Sequence, residues 1–243
     1  MEWRKIICLA KSRKMGGYCI AGKEINSGKW IRPISIRSTE EINSRECMYD
    51  TGKEVEVLDI VNIPIEKYKP NEFQPENFLI NCSYQWKYES KFEINDLSTI
   101  CDTPQDLWLI KNCYNCSSYY GKNDRIPQEY RKQISQSLYF ITPKYLKILV
   151  RIEGEEFDKP RKRVRADFIY NNCQYIIPVT DITIEKYFFP KDIGRYTIEN
   201  PKNRIYMCLS IAPFEDGYCY KFAASIIPYE GSCIKRVNKN RLI

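Results

Sequence analysis

The sequence predicts a mainly β chain with a helical insertion, built from two copies of one small β unit. Trp30-Ile31-Arg32-Pro33-Ile34-Ser35 and Tyr175-Ile176-Ile177-Pro178-Val179-Thr180 align aromatic on aromatic, Pro on Pro and hydroxyl on hydroxyl, 145 positions apart. Upstream of each copy stand a short apolar run, a basic segment and a second strand-like segment, so the echo extends beyond six residues. A chain of 243 residues is also long enough for two domains of about 100 residues, each with its own core. The expected boundaries are 1–80 for the first unit, 81–143 for a helix-containing insertion or connector, and 144–243 for the second unit with a short basic tail.

Trp3 to Ala10 reads as the first strand, with Ile6, Ile7, Cys8 and Leu9 too continuous to alternate and so buried on both faces. Lys11 to Gly17 is read as a polar turn. Tyr18–Ile25, Asn26-Ser27-Gly28 and Lys29–Ile36 form a hairpin, because Asn and Gly tolerate the positive φ of tight connections. Val55 to Ile65 is a further strand. After residue 80, Thr103-Pro104-Gln105-Asp106 has the cap, proline and acid of a helix start, and a second helix is expected after Asp124. Tyr145–Ile152 reopens the β pattern, followed by a basic run to Arg165, strands at 166–170 and 175–180, and later strands at Ile205–Ile211 and Tyr218–Ile227.

The net charge of +7 is uneven: 144–243 holds 18 Lys and Arg against 12 Asp and Glu, whereas 1–143 holds 20 against 19. A localised positive excess fits a polyanionic partner. Eleven scattered cysteines lack the spacing of a secreted disulfide scaffold, and no stretch resembles a leader or a membrane span, so a cytoplasmic protein with no membrane partner is expected. There is no histidine, which removes Ser-His-Asp, Cys-His and histidine-metal chemistry. Cys113-x-x-Cys116 is half of a zinc knuckle, to which Cys101 or Cys82 could add. Without a second close pair the reading is packing, with neither metal nor cofactor expected.

In both copies positive charge clusters between the first and second strands: Lys11, Arg13 and Lys14 in one, Lys159, Arg161, Lys162, Arg163 and Arg165 in the other. OB-folds, five-stranded partly open barrels, grip oligonucleotides with that loop and with the face of strands two and three. Trp30 and Arg32, two apart, share a strand face and would set a stacking platform beside a phosphate partner. Tyr18, and in the second copy Phe168, Tyr170 and Tyr175, are candidates for similar parts. The bland alternative is that the aromatics are core and the basic loops merely solvated.

Lys5-Ile6-Ile7-Cys8-Leu9-Ala10-Lys11-Ser12-Arg13-Lys14, Gly17 through Glu24 and Gly28 through Ser35 resemble the opening of the prokaryotic dual OB-containing domain family. Val179-Thr180-Asp181, Tyr206 through Ser210, and Phe214 with Gly217 through Lys221 resemble its second half. The resemblance implies two OB-like barrels that bind nucleic acid, as an accessory or sensor component of a prokaryotic conflict or modification system with partner proteins of its own. It supplies no catalytic residue, and a non-enzymatic role is the expectation. The competing readings are a metal-dependent nuclease, for which Asp59, Glu89 and Lys91 have the outline, and a protein-interaction or small-ligand module.

Overall fold

The computed structural model of the chain describes residues 1–108, 120–199, 204–214, 216–228 and 232–237. It divides into two units, Met1–Ile100 with Arg131–Leu138, and Cys101–Tyr130 with Tyr139–Ile243. The stretch 81–143 is divided between them, 81–100 and 131–138 falling in the first unit and 101–130 and 139–143 in the second.

The first unit is a closed barrel. Its strands are β1 (Glu2–Lys14), β2 (Gly17–Glu24), β3 (Trp30–Ile34), β4 (Asp59–Tyr68) and β5 (Asn77–Ile80), with β6 (Lys87–Lys91) added to β4. They pair in the order β1-β2-β3-β5-β4, and a β1–β4 ladder closes the ring. All of these pairings are antiparallel except β3–β5. β1 serves both sides of the closure: its first half pairs with β4, its second half with β2, and a bulge between Cys8 and Ala10 bends it between the two. Gly22 is required where β2 crosses β1, since a Cβ there would lie 2.2 Å from the Ile7 carbonyl oxygen. Ile6, Cys8, Ile20, Ile31, Val61, Ile63, Ile65 and Ile80 fill the interior beside Trp86.

Two expectations change here. Residues 11–14 continue β1, and the turn is only Met15-Gly16, both with positive φ, so the basic residues stand on a paired strand rather than in a loop. The strand expected from Val55 begins instead at Asp59, directly after Leu58 at φ 74°.

The second unit is a half-barrel of two sheets. β9 (Tyr145–Glu153), β10 (Arg161–Tyr170), β11 (Cys173–Pro178), β12 (Gly194–Glu199) and β15 (Cys233–Arg236) form one, in the order β11-β10-β9-β12-β15. β7 (Arg125–Pro127), β14 (Tyr218–Pro228), β13 (Ile205–Pro213) and β8 (Leu138–Ile141) form the other. The sheets meet where Val179, just past β11, bridges in parallel to Ala223 of β14. This repeats the parallel contact between third and fifth strands of the first unit.

The expected helices of the middle stretch do not form among the described residues. Residues 105–108 are bends, and the segment after Asp124 pairs as β7 on the edge of β14 before a 3-10 turn at Gln128–Gln133. Ladder bonds to an open strand edge outweigh a capping pattern that has no long apolar stripe behind it. The α-helix that does form is α1 (Ile182–Phe188), between β11 and β12. Asp181 caps it: one carboxylate oxygen accepts from the Thr183 and Ile184 N–H groups and the other from Ile226 N–H of β14. Burial raises its pKa above the usual carboxylate range, while those three N–H bonds pull the other way.

Asp181→Ala would leave those amides without partners, two of them on the buried residues Ile184 and Ile226. It is expected to cost about 2–4 kcal/mol of stability, read as a lower urea midpoint at unchanged slope. A loss below about 0.5 kcal/mol would show that the carboxylate does not tie helix to sheet.

Candidate nucleic-acid interface

The charged candidates of the second unit are sorted by the two-residue period of β10. Val164, Ala166, Phe168 and Tyr170 are buried on the interior face, opposite Val150, Ile148, Leu146 and, at the strand end, the 143–145 turn. Arg161, Arg163 and Arg165 point to the other face, which they share with Arg151 on β9 and Arg195 on β12. Arg163 stands directly across the ladder from Arg151; one row on, Arg165 and Arg195 flank Leu149 on its two sides.

Arg165 is the exception among these arginines. It is 6% exposed, and its guanidinium grips Glu153 through Nε (2.7 Å) and Nη2 (2.9 Å) while Nη1 reaches the fully buried Asp124 at 3.3 Å. That ion cluster turns the guanidinium away from solvent and occupies Glu153 and Asp124, while Asp167, the acid of β10 on this face, accepts from Gln174 at 2.7 Å. Among the described residues no carboxylate pairs with Arg161, Arg163 or Arg195. Arg151 carries the Tyr120 ring at 5.6 Å, and burial followed by the charges of Arg195 and Arg165 lowers its pKa, with Glu153 and Asp167 opposing. Like charges set opposite one another on a sheet destabilise it unless an anion lies between them.

The other candidates fall elsewhere. Lys162 turns to the opposite side, where Nζ donates to the Lys191 carbonyl (2.5 Å) beside Phe189. Tyr170 and Tyr175 are interior: Tyr170 donates to the Pro104 carbonyl (2.7 Å), and Tyr175 stacks on Phe168 at 5.3 Å. In the first unit Lys11 is ion-paired with Glu54 and lies 4.3 Å over the Tyr18 ring, whose hydroxyl also donates to Glu54. Arg13 is exposed and Lys14 half-buried at the end of β1.

Trp30 and Arg32 do share a face, as expected, but that face is closed. Trp30 is 7% and Arg32 1% exposed. Lys23, 5.3 Å from the Trp30 ring, donates to the Ile100 carbonyl, and Arg32 Nη2 donates to Ser137 Oγ at 2.9 Å. Ser137 in turn donates its N–H and hydroxyl to Glu76. Segments 94–100 and 131–138 of the same unit thus cover the platform, and neither residue is available to a base or phosphate.

Of the nuclease outline, Asp59 and Lys91 meet at 2.8 Å across the β4–β6 ladder, and Glu89 takes other partners. Asp59 is buried and accepts from Tyr49, from Glu56 N–H and from Lys91, whereas Glu89 pairs with Lys5 and Asn62. Cys113 and Cys116 lie outside the described residues. Arg151 and Arg195 were missed in sequence because each is a single arginine on an alternating strand; only the ladder register brings them beside Arg163.

Lys221, on the interior face of β14, is 1% exposed, and its Nζ has no hydrogen-bond partner. Burial lowers its pKa to about 7, with Asp106, Cys173 and Asp124 opposing.

Two outcomes follow for these cations. Arg165→Ala should cost about 3–5 kcal/mol, because it strands buried carboxylates, while Arg163→Ala should leave the melting temperature unchanged or raised; equal losses would refute the division. Lys221 keeps its proton to about pH 10.4 when unfolded but only to about 7 when folded, so the cost of its burial is full below about pH 7 and fades as pH rises through that window. Lys221→Met should therefore melt well above the wild type at pH 7, with the gap narrowing by pH 10; a constant gap would contradict the lowered pKa.

A family model described as the dual OB-containing domain matches residues 4–226. No curated protein matches the chain. Among solved structures it is similar to the crystal structure of the p204 HINb domain, at 9% identity over 97% of each chain with a TM-score of 0.32, too slight a likeness to carry an argument. The closed barrel, the half-barrel that repeats its parallel contact, and a family match spanning both lead to one conclusion: the chain belongs to the dual OB-containing domain family.

Proposed function

We propose that the protein binds nucleic acid through the outward face of its second unit, with Arg151, Arg161, Arg163 and Arg195 holding phosphates. The observation that carries this reading is the Arg163–Arg151 cross-strand pair with Arg195 beside it, a like-charge cluster beside which Arg165 engages Glu153 and Asp124 while Asp167 accepts from Gln174. Such a cluster costs stability when empty and recovers it when phosphates displace their counterions. OB barrels put oligonucleotides on this kind of sheet face, which supports the choice of ligand. The protein acts in this reading as a binder rather than a catalyst. In the same reading it serves as an accessory or sensor component of a prokaryotic conflict or nucleic-acid modification system, with protein partners, the role that the sequence resemblance implies. The nine described cysteines, all free thiols, suit the cytoplasm.

Fluorescence anisotropy with labelled single-stranded and duplex DNA and RNA, at two salt concentrations with and without Mg²⁺, tests this. Arg163→Gln with Arg195→Gln should weaken binding about tenfold or more at low salt and reduce the slope of log K against log salt by about 1.8 on duplex or about 1.4 on single strand. The same variant should be as stable as the wild type or more so, an opposition that a structural role would not produce. Absence of salt-dependent binding to every probe would overturn the proposal, and a cleaved probe would replace it with the nuclease reading.

A further inference from the structure

The second sheet of this unit carries a feature that the arginine face does not use. Along β14, Cys219, Lys221 and Ala223 turn inward and are buried, so Tyr218, Tyr220 and Phe222 stand in a row on the opposite face, each half-buried. Phe214, 48% exposed at the end of β13, meets Tyr220 edge-on at 5.0 Å and Phe222 at 6.0 Å. Arg125 of β7 lies 3.8 Å over the Tyr218 ring and donates from Nη1 to the Tyr220 hydroxyl at 3.3 Å. The Tyr220 hydroxyl donates to Asp216, the acid at this end of the hairpin. The row is thus four rings braced by one guanidinium on a rigid sheet.

We propose that this row is a base-stacking platform and that the ligand of the second unit is single-stranded nucleic acid. The inference rests on the function proposed above and deepens it. Alternate residues on a strand are about 6.6 Å apart, nearly twice the ~3.4 Å rise per nucleotide of duplex DNA, so successive rings suit splayed, unpaired bases. A duplex offers phosphates and groove edges but no base faces, whereas stacking on aromatic rings is the sequence-tolerant mode of single-strand binding. The platform and the arginine face are joined by one segment: Lys122 bridges to Ile176 of β11, and Arg125–Pro127 pairs with Tyr218–Tyr220 of β14. That segment brings Tyr120 against Arg151 at one end and Arg125 against Tyr218 at the other. Phosphates on the arginines and bases on the rings would therefore flank one segment of the chain, 120–127.

The test uses the full chain and a short oligonucleotide carrying 5-iodouracil, which crosslinks under ultraviolet light to an aromatic ring it stacks upon, with the adduct mapped by mass spectrometry. Crosslinks on Tyr218, Tyr220 or Phe222, and at least tenfold tighter binding of the single strand than of the same sequence as duplex, are expected. Tyr218→Leu with Phe222→Leu should weaken single-strand binding about tenfold or more at unchanged salt slope. Duplex bound as tightly as single strand, or crosslinks only elsewhere, would overturn the platform. If Arg163→Gln with Arg195→Gln still weakened binding, the arginine face would stand without it; if no probe bound, both proposals would fall.

Discussion

The interaction on which the second unit turns is the ion cluster of Arg165 with Glu153 and Asp124. Its three members come from β10, from the end of β9 and from the segment that bridges β11 to β14, so it fastens three pieces of backbone at one buried point. It also sets the electrostatics of the surface beside it. Glu153 and Asp124 are both engaged by that one guanidinium, and Asp167, the acid of β10 on the same face, accepts from Gln174, so no carboxylate forms an ion pair with Arg163 or Arg195 among the described residues. One arginine of the row is structural, and its neighbours Arg161 and Arg163 stay exposed.

Elsewhere buried polar groups show how much the fold tolerates. Asp181 is well served, with three backbone N–H donors and a role in joining helix to sheet. Arg32 and Lys221 are not. Arg32 is sealed under Ser137 with Nε and Nη1 lacking hydrogen-bond partners, and Lys221 is enclosed with none on Nζ. Partly satisfied buried cations cost free energy that the surrounding packing must offset.

The two units share a connectivity and use it differently. The first closes its ring and covers the outward face of β2 and β3 with its own chain; the second joins its sheets through the parallel Val179–Ala223 bridge and the segment from Lys122 to Pro127, and leaves Arg161, Arg163 and Arg195 exposed. The six-residue echo that first suggested duplication is itself out of phase. Ile31 enters the first core and Trp30 faces out, whereas Tyr175 faces in against Phe168 and Ile176 lies on the other side. The likeness of the units lies in strand order rather than in that motif, since a one-residue offset exchanges the two faces of a strand.

Composition and local pattern determined that the chain is mainly β, that it contains two units of related plan, and that its positive charge belongs to the second. These follow from alternation, turn residues and charge counts, which are local properties of the chain. Pattern also placed Arg161 and Arg163 on the charged segment, but it could not separate them from Arg165, whose partners are 12 and 41 residues away. It made Trp30 and Arg32 a platform because nothing near them in sequence reveals that residues 94–100 and 131–138 lie across them. It missed Arg151, Arg195 and the aromatic row because each becomes part of a surface only through ladder register. Which charges are paired, which rings are covered and which strands adjoin are long-range facts, and only tertiary structure decides them.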